Sequence, residues 1–503
     1  MKKSLPQILR LLFIFCILLS LNTFQNKVLA QEYQKDQQEI LSQKDNSRTD
    51  AEFVNSEIEE EEGSEDLSPL FFLIIALIIG AGTRHFLKKS PLPYTVSLLV
   101  IGLGLGALSR LGAFGEWNII GLKLNTVFIS DAVGWAGQIN PHLILFIFLP
   151  TLVFEAAFAM DVHTFKKTST NAFILAAPGI IVALLLTALI ILLIKVTGIG
   201  LNNWTWTLAL LFGTVISATD PVAVVAILKE VGASKKLATL IEGESMLNDG
   251  TAIVIFMVIY ATISGTGSGA SPLVEFIRVS LGGTLVGLAV GYIIIAWVKK
   301  VFNDALVEIT VIVAAAYMTF YIAEHFLHVS GVLGLVSLGL LMASVGRTRI
   351  SPEVEHFLHE FWELLAFIAN TLIFLIVGVV ISDNIEFTAK DFLILILLYI
   401  GVHIVRAVVI AMFFPFMKKA GYGLPKKDSY ILWWGALRGA VGLALALIVA
   451  GEPNIDVTVR SQFLFYTAGI VTLTLLINAT TIKSILNALG LTSVPPAKQK
   501  MKS

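Results

Sequence analysis

The sequence predicts an all-α polytopic membrane protein of about 13 transmembrane helices, built as inverted repeats with two broken crossing helices. Hydrophobic residues make up 56% of the 503 residues and charged residues only 14%, whereas a soluble protein carries roughly a quarter charged residues. Apolar runs of about 20 residues recur along most of the chain, which is typical of membrane spans. A soluble helical core would require amphipathic helices with a polar face, and these segments are apolar all round.

The first segment, residues 1–30, has the features of a secretory signal. Basic residues precede a short apolar core at 11–21, and the segment ends in the small residue Ala30. The only cysteine, Cys16, lies in this core, so a cleaved chain would hold no disulfide. An uncleaved anchor helix is the alternative.

Residues 31–68 form an acidic leader with 13 acidic and 3 basic residues. So polar a segment cannot bury a core, and we expect it to be disordered and extracytoplasmic. The transmembrane domain is then expected at 69–485, followed by a short basic cytoplasmic tail at 486–503.

Thirteen spans are predicted, with a short interfacial piece near Trp135 in the connection 113–141. The spans are expected at 69–86, 94–112, 142–160, 172–196, 205–228, 236–263, 279–298, 306–325, 329–346, 360–382, 391–416, 429–451 and 462–482. Spans 1–6 and 8–13 are interpreted as the two inverted repeats, with span 7 as their link.

The distribution of basic residues predicts the orientation. If the leader is outside, the inside loops and tail hold 20 Lys and Arg residues and the outside loops hold 6. Cytoplasmic loops carry the excess of basic residues. The N-terminus is therefore expected outside and the C-terminus in the cytoplasm of a multi-pass cell-membrane protein.

The fifth span is interrupted by Thr219, Asp220 and Pro221. Proline has no N–H and clashes with the carbonyl four residues earlier, so it frees backbone oxygen near Ser217. Carbonyl, hydroxyl and carboxylate oxygens suit a small hard cation. A simple helix-end role is the alternative for Asp220.

The twelfth span reads "WWGALRGAVGLALAL" and places Gly435, Gly439 and Gly442 around Arg438. It lies seven spans after the fifth, so the two run in opposite directions. A pair of interrupted helices at matching positions of two repeats indicates a transporter's substrate site.

The sixth span carries two polar pairs at helical spacing. Ser245 and Asp249 share one face, and Glu244 and Asn248 form a second pair. Asp249 lies about 20 Å along the helix, near the middle of the bilayer. Each charge at that depth costs on the order of 3 kcal/mol and therefore needs a reason.

Glu155 reaches a similar depth in the third span, "FLPTLVFEAAFAM". Three carboxylates on three helices, Glu155, Asp220 and Asp249, are thus expected to converge at one level.

Two intramembrane arginines, Arg406 and Arg438, are the predicted counter-charges. Our first expectation is a structural ion pair between Arg438 and Glu244. His403 is interpreted as a hydrogen-bonded packing residue, with a proton-relay role as the alternative.

Several of these stretches resemble the sodium/proton exchangers of the NhaP/NHE type, which are monovalent cation:proton antiporters. The stretches are "SATDPVAVVAILKEVGASKKLATLIEGESMLNDGTAIV", "FLPTLVFEAAFAMD", "AEHFLHVSGVLGL", "FWELLAFIANTLIFLIVG" and "WWGALRGAVGLALAL". The residues of these motifs are similar to those of bacterial and plant plasma-membrane members. The resemblance covers residues 69 to about 485. It implies a thirteen-helix dimer with crossed, unwound helices.

The resemblance also implies roles for individual residues. Asp249 would be the essential carboxylate that binds cation and proton alternately, with Asn248 as its neutral neighbour. The positions that would surround a bound Na⁺ with Asp249 are Thr219, Asp220, Ser245 and Glu155.

The function expected is secondary active exchange of Na⁺, or Li⁺, for protons, electroneutral at 1:1. Removal from water disfavours a charged carboxylate, so the site is expected to hold either a proton or a cation. A K⁺/H⁺ antiporter with the same site is the alternative. An intramembrane aspartyl protease would need a Gly-x-Gly-Asp motif, which the chain lacks. We expect no enzymatic activity, no cofactor and no nucleic-acid partner; membrane lipid and a second copy of the chain are the expected partners.

Overall fold

A computed structural model describes residues 67–87, 93–119, 122–265, 271–301, 304–384 and 388–492. The predicted signal, nearly all of the acidic leader and the end of the basic tail lie outside the described residues.

The described chain is helical, with one short pair of strands. Its first helices are α1 (Ser68–Leu87), α2 (Tyr94–Arg110), α3 (Val127–Gly137), α4 (Pro141–Phe158), α5 (Val162–Val196), α6 (Trp206–Ser217), α7 (Val222–Glu230) and α8 (Lys235–Ser264). The remaining helices are α9 (Pro272–Val298), α10 (Ala305–Phe326), α11 (Gly331–Ser344), α12 (Pro352–Asn384), α13 (Ala389–Lys419), α14 (Lys426–Trp434), α15 (Ala440–Ala450) and α16 (Val457–Leu489). A 3₁₀ turn at Gly346–Thr348 follows α11.

The helices confirm the all-α polytopic fold class. Within the described ranges, nine helices are long and apolar enough to cross a membrane. The shorter helices α2 and α4 and the two interrupted spans, α6 with α7 and α14 with α15, complete the thirteen predicted segments. The interfacial piece near Trp135 is α3.

A β-hairpin in the connection after α2 was not predicted. Strand β1 (Glu116–Ile119) pairs antiparallel with β2 (Leu122–Asn125), and Glu116 lies opposite Asn125. Polar and apolar residues alternate on both sides of the turn, which is a strand pattern. Each strand is only four residues long, so the hairpin contains no apolar run of the length that predicts a span.

The fourth span starts ten residues earlier than predicted because its first turn is capped. Asp161 accepts a hydrogen bond from the backbone N–H of Thr164 at 3.2 Å, which satisfies a group that a helix start leaves unbonded. Its carboxylate also pairs with Lys235 at 2.5 Å. A π turn at Leu175–Gly179 follows in α5 and contains Pro178, which cannot donate to the helical ladder.

The described residues fall into two compact units. The first contains the described part of Met1–Gly82 together with Leu98–Ile139 and Leu375–Thr388. Within it, α2 and α12 touch at their backbones: a Cβ added at Gly102 would lie closer than 3.0 Å to the Leu375 carbonyl. Small residues permit such close helix approach in membranes.

The second unit contains Thr83–Ser97, Asn140–Phe374 and Ala389–Ser503 as far as they are described. Helix α8 is central to it and packs against α4, α5, α6, α7, α9 and α11. All the residues predicted to form the ion site belong to this unit.

The two interrupted spans cross at their breaks, as predicted. Helix α6 ends at Ser217 and the chain turns extended at Ala218, while Gly439 is extended before α15. Between the breaks, the backbone N–H of Asp220 donates to the Leu437 carbonyl at 2.9 Å, forming an isolated antiparallel bridge. The crossing is therefore held by a direct backbone hydrogen bond.

The three glycines of the twelfth span differ in position. Gly435 ends α14 and Gly439 precedes α15, so both belong to the break. Gly442 lies inside regular helix α15, and its prediction as a helix-breaking residue is wrong. Its small size instead suits packing beside Val215, whose carbonyl would lie 3.3 Å from an added Cβ.

Candidate ion site at the crossing of the broken helices

The end of α6 presents its last carbonyls to side chains from other helices. Ser217 O accepts from Asn248 Nδ2 at 2.8 Å and from Arg438 Nη1 at 3.2 Å. Ala218 O also accepts from Arg438 Nη1, at 3.2 Å. These oxygens were expected to be free for a cation, and that expectation is wrong because protein donors occupy them.

Thr219 is held in the same way by α8. Its carbonyl accepts from Ser245 Oγ, and its hydroxyl lies 3.3 Å from Asn248 Nδ2. Thr219, Ser245 and Asn248 are all buried. The spacing of Ser245 and Asn248 on α8 thus fixes the extended segment from two successive turns.

Asp220 is fixed at both its backbone and its side chain. The Leu437 carbonyl holds its N–H, and its Oδ1 accepts from the Val222 N–H at 2.9 Å. The carboxylate therefore bonds the first N–H of α7, one of the groups that a helix start leaves without a partner. Asp220 is half-buried.

Asp249 lies on α8 within electrostatic range of this crossing. The side chains of Asp220, Glu244 and Arg438 all exert a charge interaction on it. Its residue is half-buried, and its Oδ1 is enclosed without a hydrogen-bond partner among the described residues. An enclosed carboxylate oxygen that lacks a donor is costly unless a proton or a cation compensates it.

Two further polar atoms at the crossing are enclosed and unbonded within the described chain. They are Oδ1 of Asn248 and Nε of Arg438. Buried polar groups are normally hydrogen-bonded, so such exceptions require a functional explanation. Together with Asp249 Oδ1, they make three such atoms at one crossing, which identifies it as a polar site within the membrane-spanning helices.

Glu155 on α4 is half-buried and lies among a second set of charged residues. The charges acting on it are those of Glu363, Glu242, Lys229 and Asp220. Asp220 is thus common to the surroundings of Glu155 and Asp249. The role of Glu155 as an ion ligand stays a prediction.

The buried ion pair joins Glu244 to Arg406 rather than to Arg438. Arg406 Nη1 and Nη2 bond the two Glu244 oxygens at 2.9 and 2.8 Å. The expected Arg438–Glu244 pair is therefore wrong. Sequence spacing could not distinguish the arginines, because Arg438 lies in the break and its guanidinium is taken up by the carbonyls that end α6.

Two cavities adjoin the crossing. One is lined by Ser217, Asn248 and Arg438 among apolar residues, and the other by Thr219, Asp220 and Ser245. Arg406 lines both. Both cavities are lined mainly by apolar atoms, with these polar side chains as the places where water or a small ion could bind.

Comparison with known proteins identifies the family. Residues 73–488 match the family described as "Sodium/hydrogen exchanger, transmembrane". The chain belongs to the sodium/hydrogen exchanger family. This confirms the resemblance drawn from the sequence.

Relatives from several organisms share this region. The chain is 41% identical to "Sodium/hydrogen exchanger 7" of Arabidopsis thaliana over 448 residues, which cover 87% of this chain and 38% of the relative. It is 38% identical to "Sodium/hydrogen exchanger 8" of the same plant, covering 89% of this chain and 59% of the relative. The chain is 31% identical to "Na(+)/H(+) antiporter ApNhaP" of Aphanothece halophytica, and the match covers 86% of this chain and 76% of that relative. The chain therefore spans less than two thirds of either plant exchanger.

A solved structure shares the fold. The sodium proton antiporter MjNhaP1 from Methanocaldococcus jannaschii at pH 8 matches with a TM-score of 0.67 at 20% identity, covering 84% of this chain and 99% of that one. At this identity the likeness supports the fold.

Two residues that hold the crossing were not predicted from the sequence. Thr474 accepts a hydrogen bond from the backbone N–H of Arg438 at 3.2 Å, and Leu437 supplies the bridging carbonyl. Thr474 begins a π turn, Thr474–Asn478, in α16. A threonine in an apolar span gives no signal of this role, because its hydroxyl can always bond within its own helix.

His403 takes the packing role that was expected of it. Its Nδ1 lies 2.9 Å from the Tyr399 carbonyl and its Nε2 lies 2.7 Å from Asn478 Nδ2. Both ring nitrogens are therefore engaged, one within α13 and the other by α16. The proton-relay alternative stays untested.

Proposed function

We propose that the chain exchanges one monovalent cation, Na⁺ in the first place and Li⁺ as a second cargo, for one proton across the membrane. The site is centred on Asp249. The observation that carries this proposal is Oδ1 of Asp249, which is enclosed beside the crossing of the two broken helices and has no hydrogen-bond partner among the described residues.

Competition at this carboxylate supplies the mechanism. An ionised carboxylate away from water must be compensated, and either a proton or a small cation does so. The oxygens that would complete the cation's shell are those of Asp220, Thr219, Ser245 and Glu155, with Asn248 orienting the extended segment. Hard oxygen donors favour alkali ions over soft metals.

The charges at the crossing favour a 1:1 exchange. Arg406 and Glu244 neutralise one another, and Arg438 and Asp249 attract each other. If Asp220 and Glu155 keep their protonation throughout the cycle, Asp249 is balanced in turn by a single proton or a single monovalent cation. A cycle that trades one for the other carries no net charge.

The names of the relatives agree with this assignment. Two are called sodium/hydrogen exchangers and one an Na(+)/H(+) antiporter. Because the chain spans only part of the plant relatives, their activities enter here as support for a proposal about the region shared.

Proton flux against each alkali cation tests the function. Purified protein in liposomes with an internal pH dye receives Na⁺, Li⁺ or K⁺ across an imposed pH gradient. We expect rapid proton movement with Na⁺ and Li⁺ and little with K⁺. Faster movement with K⁺ would make the chain a K⁺/H⁺ antiporter, and no cation-dependent movement in a folded preparation would reject antiport.

The proposed setting is the cell membrane, with the N-terminus outside, the C-terminus in the cytoplasm and two copies forming a homodimer. The excess of basic residues in the alternate loops supports the orientation. Protease access to a tag at the C-terminus in sealed inside-out vesicles, but not in right-side-out cells, is the expected result. Light scattering of the detergent complex should give the mass of two chains.

A further inference from the structure

Gly439 lies directly against the Asp220 carboxylate. A Cβ built on Gly439 would be closer than 3.0 Å to Asp220 Oδ2 and only 2.5 Å from Asp220 Cβ. The backbone of Gly439 is extended, with φ −141 and ψ −160, a conformation open to any residue. Glycine is therefore required here for space and not for its backbone freedom.

Asp220 cannot easily move away from a larger neighbour. Its N–H is bonded to Leu437, two residues before Gly439, and its Oδ1 is bonded to the Val222 N–H. The closest atoms include Cβ, which follows the backbone and does not swing with the side chain. A side chain at 439 would thus displace the carboxylate or break one of these two bonds.

We infer that Gly439 is a positioning residue for the cation site: the absence of a side chain there leaves the space that the Asp220 carboxylate occupies at the crossing. The inference rests on the proposed function and adds to it a determinant of cation affinity. Gly439 itself presents no polar side chain to a cation, so it acts only through Asp220.

The same helix provides a matched control. A Cβ on Gly442 would lie 3.3 Å from the Val215 carbonyl and 3.9 Å from a Val215 methyl. It would touch no charged group, and a shift of a few tenths of an ångström would admit it.

The first experiment compares Gly439→Ala with Gly442→Ala in proteoliposomes. A misplaced ligand weakens cation binding, so we expect the KM for Na⁺ to rise about tenfold or more in Gly439→Ala, while kcat falls much less. Gly442→Ala should keep its KM within about twofold of the parent. An unchanged KM in a folded, active Gly439→Ala protein would overturn the inference.

A double-mutant cycle separates positioning from general damage. Asp220→Gly removes both Cβ and the carboxylate, so Gly439→Ala should change neither KM nor thermal stability further in that background. A purely structural role of Gly439 would make the two effects additive, which would contradict the inference.

If Gly439→Ala proves too unstable to transport, the inference is tested by comparing the melting temperatures of Gly439→Ala and of the double variant with Asp220→Gly. Asp220→Gly should then restore the stability lost by Gly439→Ala, and a failure to restore it would sink the inference. Failure of the proposed function is distinct, because it would appear as absent Na⁺-driven proton flux in the parent protein.

Discussion

Arg406 binds Glu244 through two parallel hydrogen bonds of 2.9 and 2.8 Å, and the two side chains are 10% and 3% exposed. The same guanidinium donates to the Leu432 carbonyl at 3.3 Å. The pair thus joins α8, α13 and α14 at one point. It lies beside the broken helices without occupying the break, so we assign it to the scaffold that holds the site.

Loss of one member of this pair should destabilise the protein strongly. Glu244→Ala or Arg406→Ala leaves an uncompensated buried charge, at a cost of about 3–5 kcal/mol. Thermal melting in detergent should therefore drop for both variants. The double variant Glu244→Leu/Arg406→Met should recover much of the loss, because no unpaired charge remains.

The exposed pair of Glu230 with Lys483, which are 64% and 53% exposed, is the control. Exposed pairs contribute about 0–1 kcal/mol, so Glu230→Ala should melt close to the parent. Melting of Glu244→Ala at the parent temperature would show that the buried pair is dispensable.

Asp249→Asn should abolish exchange and leave the fold intact. The amide keeps the shape of the side chain, but it can neither release a proton nor offer a negative charge to a cation. Cation-driven proton flux should fall to that of protein-free liposomes while the melting temperature stays near the parent value. Asp131→Asn, at an exposed position of α3, is the control and should transport normally. Substantial flux from folded Asp249→Asn would remove this residue from the mechanism.

Exchange should not respond to membrane voltage. Because one positive charge replaces another at Asp249, the cycle moves no net charge, whereas a net charge would feel about 2.3 kcal/mol per 100 mV. The measurement is Na⁺ uptake at a fixed pH gradient, with the voltage clamped by potassium and valinomycin. A rate that changes several-fold with voltage, or a potential generated by Na⁺ in unclamped vesicles, would mean that Asp220 or Glu155 titrates as well.

The cap of α5 should contribute to stability at neutral pH but not in acid. The hydrogen bond and charge of Lys235, together with the bonds from Thr164, hold the pKa of Asp161 well below its usual range. A lowered folded-state pKa stabilises the protein above the unfolded pKa of about 3.9 and loses that effect as pH falls below it.

The test compares Asp161→Ala with the parent by thermal melting across pH. The variant should melt lower by a similar amount at pH 8 and pH 6, corresponding to about 1 kcal/mol for a lost cap. The difference should shrink as the pH drops below about 4. A difference that instead grows in acid would show that the Asp161 carboxylate is not the source of the stabilisation.

Hydrophobic patterning predicted the spans because each one must fill the bilayer with apolar residues. The two breaks were also predictable, since Pro221 and the closely spaced Gly435 and Gly439 each disfavour a continuous helix. The hairpin at Glu116–Asn125 was not predicted because a short amphipathic strand pair has no long apolar run to mark it.

The residues that form the site were easier to predict from the sequence than the hydrogen bonds and ion pairs between them. The spacing of polar residues placed Glu244, Arg406 and Arg438 in one region, but the partner of Glu244 depends on where each guanidinium points in three dimensions. Likewise, the freed carbonyls of Ser217 and Ala218 were predictable, whereas their occupation by Arg438 was not. Local rules identify groups that need partners, and only the packing of distant helices decides which partners they obtain.

The two halves of the broken fifth span, α6 and α7, each have a helix dipole whose ends we call poles. A helix end carries about half an elementary charge, positive at its start and negative at its finish. The finish of α6 meets the cationic Arg438, and the start of α7 meets the anionic Asp220. Each pole is thus masked by a side chain of opposite sign, which leaves Asp249 as the uncompensated charge at the crossing. Because the poles are masked, the charge of a bound ion is balanced by side chains and not by the helix ends.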